Sequence, residues 1–421
     1  MHGLSDESAE AAAGTTSSMP DRCSVGGAVA SSCATVACVG EEVRGRAMTR
    51  VMTVVGTRPE IIRLSRVMDA LDRTVEHVLV HTGQNWNPNL SDIFFTELRL
   101  RRPDRFLGVD TSSLGRVLGG VLVGVEEAIS AFQPDALLVL GDTNSCIAAL
   151  MARRMRVPVY HMEAGNRCFD LNVPEETNRR LVDHVADFNL VYTEHARRNL
   201  LAEGLHPRRI LHTGSPMREV LDHYRADIAS STVLEQLELT PGGYFMVSAH
   251  REENVDRPDR LNRLLDCLRA VRDEWGLPML VSTHPRTRKS LEALAVDDTA
   301  LEGIAFHEPF GLFDYVRLQA SARCTLSDSG TISEEAAILG FPAVTLRESI
   351  ERPEALDAGG IIMTGLDPRG VVEAIRVVVD QVAADGVPCP ADYEVPDTSR
   401  RVVDFILSTV RRHHGWSGIR V

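Results

Sequence analysis

VMTVV at 51–55 runs directly into GTRPE at 56–60, and this junction decides the fold: a β-branched apolar run of strand length ends in glycine and opens an amphipathic segment of helix length. A strand, a tight turn and a helix, repeated, make parallel βαβ units with helices on both faces of a sheet. The step recurs in VEHVLVH at 75–81, ALLVLGD at 136–142 and VPVYHMEAG at 157–165. It restarts with YFMVSAH at 244–250, PMLVSTH at 278–284, IAFHEP at 304–309, CTLSDS at 324–329 and PAVTLRE at 342–348. Two such series imply an α/β protein of two Rossmann-like, doubly wound domains. The Pro-Gly-Gly punctuation of LELTPGGY at 237–244 divides them. The first domain is placed at 49–239, the second at 240–394 and a C-terminal helix at 395–421.

Composition agrees with this division. A chain of 421 residues has room for two domains, and 44% hydrophobic with 25% charged residues is ordinary for a globular protein. Residues 1–48 are rich in Ala, Gly, Ser and Thr and poor in large apolar side chains, so they are expected to form a disordered tail or to be upstream sequence, with Met48 an alternative start. Their acidic opening is not that of a signal peptide, and no run reaches the ~18–20 apolar residues of a membrane helix, so neither export nor membrane insertion is expected. The eight cysteines show no CxxC pairing or metal-ligand spacing, which suits a reducing, cytoplasmic setting without a metal site. A net charge of -14, from 45 Lys and Arg against 59 Asp and Glu, argues against nucleic acid as a partner. An anionic ligand must therefore meet a local basic site.

Polar clusters stand where strands end: GTRPE, GDT at 141–143, EAG at 163–165, AHREEN at 249–254, THP at 283–285 and SDSG at 327–330. Open α/β sheets bind ligands beyond the carboxyl ends of their strands. No GxGxxG or Walker A sequence is present, so no cofactor of those classes is expected. In GTRPE, Gly56 is read as a tight turn and Pro59 as the first helical position, so a phosphate would meet both the helix N-terminus and Arg58. The plainer reading has Arg58 pairing across the turn. SDSGTISEEA offers Ser329, Gly330 and a helix start near Thr331 in the same way, or else Asp328 and Ser329 merely cap that helix. Asp142 and Glu163 end apolar strands, where partial desolvation and mutual repulsion raise carboxylate pKa values, as acid/base pairs require. Glu175 and Glu176 follow Pro174 at a helix start, and for Glu176 a solvated charge favoured by the helix dipole is the plainer reading. His250 ends a strand of the second series and is either structural or a group that acts on a leaving group or phosphate.

GTRPE, HTGQ, GDTN, HMEAGNR, PEETNR, SAHREENV, THP, SDSGTISEEA and RESIERPEA, in this order from about residue 50 onward, resemble the motifs of the non-hydrolysing UDP-N-acetylglucosamine 2-epimerases. The resemblance implies a glycosyltransferase-B-like pair of domains around a cleft, with the C-terminal helix packing back on the first. It implies cofactor-free inversion at C2 of a UDP-N-acetylhexosamine through a 2-acetamidoglycal, in a protein that is commonly a homodimer. Carried over by position, Asp142, Glu163 and Glu175 form the acid/base set and His250 assists at the diphosphate. Arg58, Arg179, His284, Ser329, Gly330 and Glu335 hold UDP, with Glu335 on the ribose. Asn85, Asn166, Thr331 and Arg63 depart from the common pattern. Apart from Arg63, these variants resemble the branch that converts UDP-2-acetamido-2,6-dideoxy-L-talose to UDP-N-acetyl-L-fucosamine. Gln84 and its successor help form an activator site in many members, and Asn85 is a departure there. A UDP-sugar glycosyltransferase of the same architecture, a hydrolysing epimerase and a catalytically silent UDP-sugar binder are the alternatives. The carboxylates at 142, 163 and 175 weigh against the transferase, their retention with His250 against the silent binder, and the lack of the fused kinase domain that hydrolysing members normally carry against the hydrolysing epimerase.

Overall fold

A computed structural model describes residues 48–84, 95–294 and 301–420. The expected tail up to Ala47 and the variant position Asn85 lie outside the described residues. The first sheet has seven strands in the order β3-β2-β1-β4-β5-β6-β7. They are β1 Arg50–Val55, β2 Glu76–His81, β3 Arg105–Phe106, β4 Ala136–Leu140, β5 Val159–Met162, β6 Phe188–Val191 and β7 Ile210–His212. The second has six, in the order β10-β9-β8-β11-β12-β13. These are β8 Phe245–Ser248, β9 Met279–Ser282, β10 Ile304–His307, β11 Cys324–Ser327, β12 Ala343–Thr345 and β13 Ile362–Met363.

Every pairing in both sheets is parallel. All five residues of β4 are buried, as a strand covered by helices on both faces demands. In each sheet the first strand lies beside the fourth, β1 beside β4 and β8 beside β11, so the order in which strands are added reverses there and a crevice opens at the carboxyl ends.

The helices that matter to the crevice are α1 Arg58–Thr74, α2 Leu114–Phe132, α3 Ala148–Arg154, α4 Pro174–Val185, α5 Glu194–Ala202 and α6 Met217–His223 in the first domain. In the second are α7 Pro258–Trp275, α8 Pro285–Leu294, α9 Leu312–Ser321, α10 Ile332–Leu339 and α11 Pro368–Asp385, followed by α12 Thr398–Thr409. Helix α1 begins at Arg58, one residue before the sequence suggests, and Pro59 occupies the second position, where its missing N–H is still not needed. Glu60 turns back to accept hydrogen bonds from the Gly56 and Thr57 N–H groups at 2.5 and 2.9 Å. The glycine requirement at 56 comes from close approach, since a Cβ there would lie 2.3 Å from Thr82 Oγ1.

Helix α12 packs on the first domain. Val402, Val403, Ile406 and Val410 join Leu64, Met68, Tyr160 and Phe188 in one core. The Tyr160 hydroxyl and Thr409 Oγ1 are 2.7 Å apart, and the Phe405 ring meets that of Phe188 edge-on. Among the described residues no helix is long and apolar enough to cross a membrane, and the described cysteines are free. Ile406 is fully buried in this seam. Ile406→Ala is expected to cost about 2–5 kcal/mol of stability, read as a lower urea midpoint.

Candidate active site

The strand-end loops and the helices that follow them carry the candidate residues. Arg58 follows β1, Asp142 follows β4, Glu163 follows β5, and Glu175 and Arg179 lie on α4. From the second domain, His250 follows β8, His284 follows β9, Ser329 and Gly330 follow β11, and Glu335 lies on α10. Arg58 is half-buried in the first turn of α1, within electrostatic reach of Glu97 and of Tyr315 and Glu335 from the second domain. The first strand of one sheet therefore delivers a guanidinium toward the other domain.

Asp142 is held by Arg179, whose Nη2 donates to its Oδ2. The same guanidinium donates through Nη1 to Glu176 at 2.6 Å and lies 3.9 Å from Glu351. Glu176 is not a solvated helix-start charge. Its side chain is fully buried and also accepts from Arg180 Nε at 2.9 Å and from the Cys168 N–H at 3.3 Å. Glu163 sits in the left-handed region at φ 62, where a non-glycine residue is held only if its surroundings over-determine it. Here they do: Arg63 Nη1 donates to one carboxylate oxygen and Arg352 Nη2 to the other at 2.7 Å.

The expected upward drift of both strand-end carboxylates does not occur at Glu163. Burial opposes its charge, but Arg63 and Arg352 outweigh burial and hold its pKa below the ordinary value. Glu175 moves the other way: burial and the neighbouring Asp142 charge raise its pKa, and among the described residues no cation is in contact to reverse them. Two carboxylates of one crevice are thus driven to opposite protonation preferences, the pattern of an acid/base set.

In the second domain the organising group is Asp328, which does not cap the helix after it, whose N-cap is Thr331. Fully buried, it accepts from the His250 N–H at 3.1 Å, the Arg251 N–H at 3.0 Å and Asn254 Nδ2 at 3.1 Å. It thereby fixes the loop that presents His250, whose ring lies 6.2 Å from that of His284. The surrounding protein lowers the His250 pKa, although 43% of its side chain remains open to water. Ser329 and Thr331 share a 2.9 Å hydroxyl contact at the mouth of α10.

Three arginines converge on Gly330. A Cβ at that position would stand 2.9 Å from Arg352 Nη1 and 3.7 Å from both Arg251 Nη2 and Arg347 Nη1. Glu351 partly balances them, accepting from Arg347 and lying 3.5 Å from Arg251 Nη2, and its pKa is held down although burial alone would raise it. Glu335, buried and raised in pKa by that burial, accepts from Gln319 Nε2 at 2.8 Å.

The structure so brings Asp142, Glu163, Glu175 and Arg179 together on one wall and His250, His284, Ser329 and Gly330 on the other. The guanidinium of Arg179 is occupied by carboxylates. Sequence reasoning did not assign roles to Arg63, Arg251, Arg347, Arg352, Glu334 or Glu351. The four-residue spacing of Arg347 and Glu351 within RESIERPEA was the one local signal available.

The sequence model of a known family, described as UDP-N-acetylglucosamine 2-epimerase, matches residues 69–407. The chain belongs to this family. It is an isomerase by that membership. A solved UDP-N-acetylglucosamine 2-epimerase from Rickettsia bellii superposes with a TM-score of 0.82 at 42% identity, covering 87% of this chain and 98% of that one. The Methanocaldococcus jannaschii UDP-GlcNAc 2-epimerase, in complex with UDP-GlcNAc and UDP, superposes at 0.80 with 31% identity over 86% of this chain and 100% of that one. A UDP-2,3-diacetamido-2,3-dideoxy-D-glucuronate 2-epimerase of Pseudomonas aeruginosa is 32% identical over 80% of this chain and 94% of its own length.

Within this epimerase, Asp328→Ala strips a partner from three donors at once, the Asn254 amide buried and the His250 and Arg251 N–H groups partly so. It is expected to cost at least about 2 kcal/mol of stability, because an unsatisfied buried donor costs roughly 1–3 kcal/mol. Urea unfolding and the mobility of the His250 imidazole by NMR check it.

Proposed function

We propose that this chain inverts C2 of a UDP-N-acetylhexosamine by anti elimination of UDP to a 2-acetamidoglycal followed by re-addition, without hydrolysis. The observation that carries the reading is the pairing, in one crevice, of carboxylates with opposed pKa shifts on the first domain with three guanidinium groups around the Ser329–Gly330 turn on the second. A carboxylate removes the C2 proton while the C1–O bond to UDP breaks. The electron pair of that bond leaves with the diphosphate and a C1=C2 double bond forms. A proton is then delivered to C2 from the opposite face, and a diphosphate oxygen restores the bond to C1. Electrons and atoms balance without an oxidant and without water.

Each group has a task in this sequence. Glu163, held ionised, and Glu175, biased toward its acid form, supply the two protonation states that opposite faces of C2 require. Asp142 is the third member, oriented by Arg179, whose pairs with Asp142 and Glu176 make a nucleotide contact costly. His250, with its pKa below the ordinary value, is neutral near pH 7 and offers an N–H donor to the diphosphate. Arg58, His284, Ser329 and Gly330 retain the departing UDP so that it can return, and Glu335 receives the ribose hydroxyls.

The sugar is assigned to the UDP-2-acetamido-2-deoxyhexoses. Asn166 and Thr331 favour the 6-deoxy-L-talo form over UDP-N-acetylglucosamine. A relative named for a diacetamido-glucuronate at 32% identity illustrates that this level of similarity spans more than one sugar. A transferase reading lacks a comparable observation, since transfer does not call for several carboxylates around C2.

In D2O, NMR should show solvent deuterium entering C2 as the epimer forms, with UDP-N-acetylglucosamine and the 6-deoxy-L-talo substrate compared side by side. Product without label at C2 rejects the mechanism. Asp142→Asn and Glu163→Gln are each expected to lose about 10²–10⁴-fold in turnover while calorimetric UDP binding changes little. Full turnover in both variants removes their assignment.

A further inference from the structure

Behind the proton-transfer groups, four buried side chains close into a square of ion pairs, alternating in charge, that spans the two domains. Arg63 of α1 and Glu163 come from the first domain, and Glu334 of α10 and Arg352 from the second. Arg63 donates to Glu163 and lies 3.7 Å from Glu334, while Arg352 is 2.7 Å from Glu163 and 3.3 Å from Glu334. Each arginine touches both carboxylates, and two of the four edges cross from one domain to the other. None of the four side chains is more than 9% exposed.

We propose that Arg63, Arg352 and Glu334 are positioning residues for Glu163: the square is complete only when the domains are closed on each other, so closure aims the carboxylate that handles the C2 proton. The proposal rests on Glu163 being a proton-transfer group, as assigned above. A buried carboxylate that loses one of two cations is left with an uncompensated charge and takes up a proton or turns to water. Separation of the domains removes Arg352 from Glu163 and Arg63 from Glu334 together.

The fork of Arg352 adds a second link. Its Nη1 donates to the Gly330 carbonyl at 2.6 Å while its Nη2 holds Glu163. One side chain thus spans the turn assigned to the diphosphate and the carboxylate assigned to C2. An anion seated at that turn and a competent Glu163 require the same arginine in the same place.

The other titratable groups facing Glu163 do not take over this task. Arg179 contributes from α4, but its donors are spent on Asp142 and Glu176. Tyr192, after β6, has a buried hydroxyl without a hydrogen-bond partner among the described residues, and burial beside Glu163 keeps it neutral. Tyr393 and Glu354 face the Arg352 side of the square and are hydrogen-bonded to each other at 2.6 Å.

The test follows C2 exchange in D2O against pH, using whichever of the two sugars the full-length wild type turns over. Arg352→Met is expected to lower kcat at least tenfold and to raise the acid limb of its pH profile by about 1–3 units, because Glu163 loses a contacting cation. Arg352→Lys should restore the limb in large part. Glu334→Gln removes an anion that competes for both arginines, so its limb should lie at or below that of wild type. Loss of packing alone gives no such opposition of sign. An unmoved limb in Arg352→Met, or an upward move in Glu334→Gln, overturns the proposal. Should Arg352→Met not fold, Glu334→Gln decides by the same sign. Wild-type exchange in Glu163→Gln, or no exchange by the wild type with either sugar, instead sinks the assignment of Glu163 on which the proposal rests.

Discussion

A carboxylate taken out of water must meet a cation or hydrogen-bond donors at contact distance, and much of the crevice is arranged around that constraint. Asp142 and Glu176 share Arg179, Glu163 is divided between Arg63 and Arg352, and Glu351 is placed against Arg347. Arginine suits this duty better than lysine because its planar fork serves two acceptors at once and it stays charged when buried. The pairs are not stabilising by default, since the desolvation of each ion offsets much of its attraction. Their effect is geometric: they leave the carboxylates few orientations and set which of them are ionised. Glu175 and Glu335 have no contacting cation among the described residues, and burial raises the pKa of each, with the Asp142 charge adding to it at Glu175.

The constraint also reconciles an acidic protein with an anionic ligand. The net charge of -14 is a property of the whole chain, whereas Arg251, Arg347 and Arg352 are gathered at one glycine. Gly330 is needed there because even a methyl group would displace the Arg352 guanidinium. A field made by a few desolvated charges at contact range is little disturbed by surface carboxylates beyond the screening length.

The sequence made most strands of both sheets legible and left β3, β6, β7 and β13 obscure. β4 is an unbroken apolar run, and β1, β8 and β11 are mostly apolar and almost wholly buried, because helices cover both faces. β6 reads FNLV, with Asn189 in the middle, and that asparagine is buried because its amide donates to the Asp183 carbonyl at 2.9 Å. β3 and β13 are two residues long and leave no periodicity to find. The strand-end loops gave away Arg58, Asp142, Glu163, His250 and Ser329, since ligand sites of parallel sheets gather there. The arginines that tune these groups were hidden for a different reason. Arg63 lies 100 residues from Glu163 in sequence and Arg352 lies 189, so no local pattern links them. Glu176 looked like a helix-start charge because only the fold reveals the arginine and the backbone N–H that enclose it.

The return of α12 to the first domain makes the chain pass between the domains twice, once before β8 and once before α12. The second passage is fastened where the Ser215 N–H donates to the Asp392 carbonyl at 2.9 Å and Thr398 Oγ1 donates to the Ser215 carbonyl at 3.1 Å. Two bodies joined at a single point can tumble about it in any direction. Joined at two, they swing about the line through both, as a door does on a pair of pins. A second crossing leaves the halves fewer relative orientations than a single one would, which favours the same side chains meeting across the crevice.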